Sequence, residues 1–252
     1  MKKILLSLAL LTQCLFTFAQ PEIISHRGFW NAENTAQNSI GALFNAQSIQ
    51  IYGSELDVYI SKDKIPVVFH DNKINEKLVE ETSYQELSEH ILKNGEPIPT
   101  LEAYFQQGLS DKNTKLIIEI KSHSTPELET EAVLIISQLI EKYDVLPQVD
   151  FIAFSLHVCK ELVKIYPNSE IAYLNGDLPP LQLKELGISG IDYNISRFRE
   201  HPEWIKEARD LGMKINVWTV NKEEDIRTMI DLGVDFITTD YPLLAKKILG
   251  SR

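Results

Sequence analysis

Residues 214–239 read KINVWTVNKEEDIRTMIDLGVDFITT. Lys214–Thr219 is apolar, with β-branched and aromatic side chains, and predicts a strand. Lys222–Leu232 follows a helical pattern. Gly233 ends it, because glycine alone accepts a left-handed turn at no steric cost. Asp235–Thr238 is again strand-like. A strand, a helix and a second strand in so short a space predict a parallel pair with a crossover helix.

The same rhythm runs through the chain. Further strands are expected at Glu22–Ser25, Ser54–Tyr59, Lys115–Ile120, Asp150–Phe154, Glu170–Leu174 and Gly190–Tyr193. Helical stretches fall between them, at Ser39–Gln50, Pro126–Tyr143, His157–Tyr166, Leu181–Leu186, Pro202–Leu211 and Pro242–Leu249. Eight strands alternating with helices make an α/β protein, and eight is the number that closes a TIM (β/α)8 barrel. A doubly wound open sheet is the next alternative, and the strand count disfavours it. One segment breaks the rhythm. Residues 61–114 are too long for a simple connection. Ile65–Phe69 reads as a short strand extension or hairpin, about 72–98 as a small insertion after the second strand, and Thr100–Gln107 as a resumed helix.

A length of 252 residues suits one such barrel, here 20–252, and 44% hydrophobic residues supply its core. The first nineteen residues stand apart. Lys2 and Lys3 precede an apolar run, and Ala19 before Gln20 offers a cleavage point. This predicts a signal peptide over 1–19, and an exported protein, periplasmic or secreted. Cleavage would leave Cys159 as the single cysteine, so no internal disulfide is expected. No other membrane segment is evident, so stable insertion of the mature chain is not expected. The net charge of −11 argues against nucleic acid or an anionic membrane as a broad partner.

Polar residues of unusual type sit where barrel strands should end, which is where TIM-barrel sites lie. His26-Arg27-Gly28 follows the first strand. Glu55 and Asp57, two apart, share one face of the second. His70-Asp71 ends the run Val67-Val68-Phe69, and Glu119 and Lys121 share a face of the third strand. Three converging carboxylates would raise one another's pKa and oppose folding. One divalent cation removes the conflict, and oxygen ligands suit Ca2+ or Mg2+. Arg27 and Lys121 can then hold a phosphate, and His26 and His70 can move protons near neutral pH.

At these positions the chain resembles the glycerophosphodiester phosphodiesterase family. The matching motifs are His26-Arg27-Gly28, Glu55-Leu56-Asp57-Val58, Val67-Val68-Phe69-His70-Asp71, Pro97-Ile98-Pro99-Thr100-Leu101-Glu102, Ile118-Glu119-Ile120-Lys121, Trp218-Thr219-Val220-Asn221 and Thr238-Thr239-Asp240-Tyr241-Pro242. The resemblance implies hydrolysis of a small-molecule glycerophosphodiester to an alcohol and glycerol phosphate. It implies Glu55, Asp57 and Glu119 as metal ligands, His26 and His70 as the acid–base pair, and Arg27 and Lys121 as phosphate contacts. Two rival readings remain: a phospholipase-type diesterase acting on a lipid or inositol head group, and a non-catalytic binding protein on the same barrel.

The chain departs from the family pattern in one place. The family carries Pro-Glu-Asn-Thr after the first motif. Glu33-Asn34-Thr35 matches part of it, but Ala32 replaces the proline; counting back from Glu55, the helix spacing instead matches Gln37-Asn38-Ser39, so Gln37 replaces the glutamate. Trp218 is expected as a wall of the substrate pocket. Asp240 reads as a turn or helix cap before Pro242. The acidic stretch Glu76–Glu89 reads as a solvated face.

Overall fold

The computed structural model describes residues 19–251. The expected signal peptide, apart from Ala19, therefore lies outside the described residues. Eight strands carry the fold: β1 (Glu22–Ser25), β2 (Gly53–Ile60), β3 (Lys115–Ile120), β4 (Val149–Ala153), β5 (Ile171–Tyr173), β6 (Gly190–Asn194), β7 (Lys214–Trp218) and β8 (Phe236–Thr239). Each pairs in parallel with the next. The ring closes because β1 pairs with both β2 and β8, through Ile24↔Gly53 on one edge and Ser25↔Thr239 on the other. This is a TIM barrel.

The connecting helices are α1 (Ile40–Ser48), α2 (Leu101–Gly108), α3 (Pro126–Tyr143), α4 (Leu156–Ile165), α5 (Pro180–Glu185), α6 (Ile195–Glu200), α7 (Glu203–Asp210), α8 (Glu223–Leu232) and α9 (Pro242–Leu249). Several begin at a short polar residue whose side chain accepts from an early helical amide, as Ser39 does from Ala42. α6 is an addition to the expected helices; it has six residues, too few to show a periodic pattern, and Asn194 caps it.

Strand alternation divides the core in two. Leu56, Val58, Leu116, Ile118 and Ile120 point outward and are fully buried under the helices. Ile24, Ile117, Ile152 and Leu174 form a smaller apolar cluster on the inner face. Both faces of the strands are thus dry, as parallel sheets require.

At Ile65–Phe69 the structure selects the hairpin. Pro66–Val68 turns back and pairs antiparallel with β2, Val58 opposite Val68. Beyond it lie a two-stranded hairpin, Lys73–Ile74 with Lys77–Leu78, and a single helical turn, Tyr84–Leu87. These elements share their own apolar cluster, including Tyr59, Val67, Val79, Leu87 and Ile98. Glu96, at the end of the insertion, accepts from the amides of Ile40 and Gly41 at the start of α1, at 2.9 and 3.1 Å. A carboxylate there satisfies orphan donors and meets the positive end of the helix dipole.

Gly28 marks where the loop after β1 crosses α1. Its φ is +80°, and a Cβ there would lie 2.6 Å from Ala42 Cβ and 2.9 Å from the Ala42 carbonyl carbon. Gly28→Ala is expected to destabilise the fold by about 2–4 kcal/mol, from overpacking and backbone strain together. Urea unfolding would show it, and a loss under ~0.5 kcal/mol would contradict the close approach.

Candidate active site

The inner residues at the C-terminal ends of β1, β2 and β3, with the loop after Val68, converge on one spot. Glu55, Asp57 and Glu119 each offer a carboxylate oxygen, and these oxygens lie within 4.8 Å of one another. All three residues are buried. Glu55 Oε2 accepts from the Arg27 amide at 2.6 Å, while its Oε1 is buried with no hydrogen-bond partner among the described residues. Burial, and then the charges of Asp57 and Glu119, hold the Glu55 carboxyl well above the usual range. Burial and Asp57 likewise push Glu119 up to about 7. Asp57 behaves in the opposite way. Burial pushes it up, but Lys121, His70, Asn38 and Arg27 together bring it below the ordinary value. An orphaned buried oxygen and two carboxyls that resist ionisation fit a divalent cation, whose charge would relieve both.

The cations stand around this triad. Lys121 Nζ is 3.1 Å from Asp57 Oδ1 and 2.6 Å from Glu119 Oε1. Arg27 Nε is 3.7 Å from Asp57 Oδ2 and lacks a hydrogen-bond partner among the described residues, while Nη1 donates to Gln37 Oε1 at 2.9 Å. Arg27 takes a left-handed backbone, φ 56°, which turns its amide onto Glu55. Asn38 donates to Asp57 Oδ2 at 2.8 Å and accepts from the Asp57 amide, pinning that carboxylate. Ser39 then caps α1. Gln37-Asn38-Ser39 therefore sits against the triad, in keeping with the spacing from Glu55, and Glu33-Asn34-Thr35 does not.

Two histidines flank the cluster, each with Nδ1 held by a carboxylate. His26 Nδ1 is 2.8 Å from Asp240 Oδ1, and His70 Nδ1 is 2.7 Å from Asp71 Oδ1. Burial keeps His70 below the ordinary histidine value despite Asp57 and Asp71. In both, Nε2 has no hydrogen-bond partner among the described residues. Trp218 is half-buried on β7; its Nε1 donates to the Asp192 carbonyl at 2.9 Å and its ring meets Phe154 edge-on at 5.6 Å.

Asp240 sits in a bend after β8, as the turn reading expects, and corrects the helix-cap reading. It is no helix cap: Tyr241 occupies the cap position of α9, and no side chain caps there. The Asp240 carboxylate instead accepts from Trp30 Nε1 (3.2 Å) and Asn221 Nδ2 (2.6 Å) as well as facing His26. Burial notwithstanding, His26, Asn221 and Trp30 hold its pKa below the usual range, so it is an anion. Trp30 and Asn221 complete this group; Asn221 ends the motif Trp218-Thr219-Val220-Asn221 without a site role read from it, and Trp30 lies in none of the motifs. The signal for Asp240 is register: once Ser25 pairs with Thr239, the next residues along are His26 and Asp240.

Asp192 lies deeper, on the inner face of β6. Its Oδ1 is buried without a hydrogen-bond partner among the described residues, and burial, against the amide of Asn216 and aided by Glu119, pushes its pKa up to about 8. The folded state thus keeps a proton that the unfolded chain releases near pH 3.9. The associated stability is complete below that pH, declines above it, and is gone once pH has risen through about 8. Asp192→Asn keeps the neutral shape. It is expected to match the parent near pH 4 and to exceed it near pH 9, by about 1–4 kcal/mol. Urea melts at the two pH values check this; equal differences at both would refute a neutral Asp192.

Residues 26–244 match the Glycerophosphoryl diester phosphodiesterase family. The chain belongs to this family. A glycerophosphodiester phosphodiesterase of Caldanaerobacter subterraneus is 29% identical over 240 residues, covering 87% of this chain and 94% of that one. One from Bacillus altitudinis is also 29% identical, over 244 residues, with 90% and 97% covered. A crystal structure of a glycerophosphodiester phosphodiesterase from Parabacteroides distasonis superposes with a TM-score of 0.91 at 45% identity, covering 92% of this chain and 98% of that one. As a member of the glycerophosphoryl diester phosphodiesterase family, the chain is a phosphoric diester hydrolase.

Proposed function

We propose that this enzyme hydrolyses glycerophosphodiesters to an alcohol and glycerol phosphate, using one divalent cation, Ca2+ or Mg2+. One observation carries the reading: two carboxylate-backed imidazoles flank a buried triad of acids with two cations beside it. Glu55, Asp57 and Glu119 would hold the cation, which supplies Lewis-acid stabilisation of charge on the phosphoryl oxygens. Arg27 and Lys121 contact the phosphate, Arg27 through the donors that Gln37 leaves free. Trp218 walls the pocket.

One histidine takes the proton of the attacking hydroxyl as its oxygen bonds to phosphorus. The other gives a proton to the departing alkoxide as its bond to phosphorus breaks. An attacking hydroxyl on the substrate's own glycerol would yield a cyclic phosphate, which water opens with the two histidines exchanging roles. Asp240 and Asp71 orient the rings and fix which nitrogen carries the proton.

The test is release of glycerol phosphate from glycerophosphocholine, glycerophosphoethanolamine and glycerophosphoinositol, with Ca2+, with Mg2+ and with chelator. Metal-dependent release is expected; metal-independent turnover, or none, would sink the reading. We also propose export, on the strength of Lys2, Lys3, the apolar run after them and Ala19. The mass of the protein recovered outside the cytoplasm would show cleavage before Gln20. Small phosphodiesters, and not nucleic acid, are the proposed partners, given the net charge of −11. Among the described residues, no helix is long and apolar enough to cross a membrane.

A further inference from the structure

Gln37, where the chain departs from the family pattern, lies half-buried against Arg27 in a clamped corner of the site. Two residues in left-handed backbone meet there. Arg27 has φ 56° and Asn38 has φ 60°, and the Asn38 amide donates to the Arg27 carbonyl at 3.0 Å. Neither is glycine, so each conformation persists only because its surroundings fix it. The fixing contacts belong to the site. The Arg27 amide donates to Glu55, Asn38 makes two hydrogen bonds with Asp57, and Arg27 Nη1 donates to Gln37 Oε1 at 2.9 Å.

The guanidinium is thus aimed by an amide oxygen and not by a carboxylate. Among the described residues, the one acid paired with it is Asp57, 3.7 Å from Nε. Asp57 is itself shared, with Lys121 at 3.1 Å and Asn38 at 2.8 Å. Arg27 Nε is buried with no hydrogen-bond partner among the described residues. A neutral acceptor sets the direction of a guanidinium and keeps its charge. A carboxylate in the same place would pair with it and cancel most of that charge for any other anion.

A cation held in this way separates anions by their charge. A phosphodiester carries one negative charge. A phosphomonoester carries nearly two above pH 7, because its second pKa is about 6. Attraction to Arg27 therefore counts about twice for the monoester. The monoester here is the product.

We propose that Gln37 is a positioning residue that orients Arg27 without neutralising it, so that the site retains the dianionic glycerol phosphate product in competition with fresh diester. The proposal rests on the hydrolytic reading above and names a regulation of that same site, inhibition by product.

The experiment compares the parent enzyme with Gln37→Glu at pH 8, reading KM for glycerophosphoinositol and the inhibition constant Ki for glycerol phosphate. The change is near-isosteric and keeps an acceptor for Arg27, so only one negative charge is added. At a separation of several ångströms and an effective dielectric of about 20, that charge is worth more than tenfold in affinity for a monoanion, and the square of the factor for a dianion. The parent is expected to show Ki below KM. Gln37→Glu is expected to raise KM at least tenfold, and to raise Ki by at least five times the factor seen in KM. A merely structural loosening would move both constants alike. A parent Ki above KM, or a smaller change in either constant, overturns the proposal and leaves the hydrolytic reading standing. If no diester is hydrolysed, the hydrolytic reading fails, and calorimetry with dimethyl phosphate and glycerol phosphate replaces the kinetics. Tighter binding of glycerol phosphate by the parent, with a loss in Gln37→Glu at least fivefold larger than that for dimethyl phosphate, sustains selection by charge at Gln37. No binding, or a smaller difference, removes it.

Discussion

His26→Ala and His70→Ala are each expected to lower kcat by about 10²–10⁴-fold, the usual worth of a positioned proton donor or acceptor. Neither side chain supports the apolar core, so thermal melting should move little. His26 is held by Asp240 at the end of the neighbouring strand β8, and Asp240 is itself fixed by Asn221 and Trp30. Asp240→Asn keeps the shape and removes the charge that orients the ring, so it is expected to cost about 10²-fold in kcat with KM retained. Because Asp240 acts through His26, the two losses should not add. His26→Ala with Asp240→Asn should be no slower than His26→Ala alone. Steady-state kinetics on the four proteins decides this; additive losses would mean that Asp240 touches the reaction independently of His26.

The second large effect concerns the triad. Adding Ca2+ or Mg2+ at about 100 times its Kd should stabilise the protein by about 2.7 kcal/mol, a rise of several degrees in Tm for a chain of this size. Glu55→Gln is expected to abolish that rise and to lower turnover by about 10³-fold or more. It should nevertheless leave the metal-free protein as stable as the parent, or more so. Burial and two neighbouring acids already keep the Glu55 carboxyl above its usual range, so an amide replaces a group that gains little from its charge. Differential scanning calorimetry with and without the ion checks both halves. A persistent metal shift in Glu55→Gln would remove Glu55 from the ligand set. A large loss of stability in the metal-free variant would mean that Glu55 is held ionised by its contact with Arg27.

The barrel is legible in the sequence because its strands are dry on both faces. Runs such as Lys115–Ile120 stay apolar regardless of alternation, and the few inward acids stand out against them. Glu55, Asp57, Glu119 and Lys121 are visible for that reason: a charged residue inside a β-run is costly unless something pairs with it. The antiparallel return of Pro66–Val68 cannot be chosen over a strand extension on sequence, because three apolar residues fit either. α6 is too short to carry a period. Asp240 misleads because its local context, a polar residue two places before Pro242, is what a helix cap also looks like. Its role depends on a register between the first and last strands, which no local pattern encodes.

The pairing of His26 with Asp240 spans 214 residues of chain. Loop closure over such a distance comes late in folding, and the ring of strands has its seam there. During synthesis, a ribosome-bound chain that still lacks β8 can carry β1 to β7 and the entire acid triad, yet have His26 unsupported. The active arrangement therefore arrives with the C-terminal strand. Any truncation that removes Phe236–Asp240 should cost the reaction before it costs the cluster of Glu55, Asp57 and Glu119.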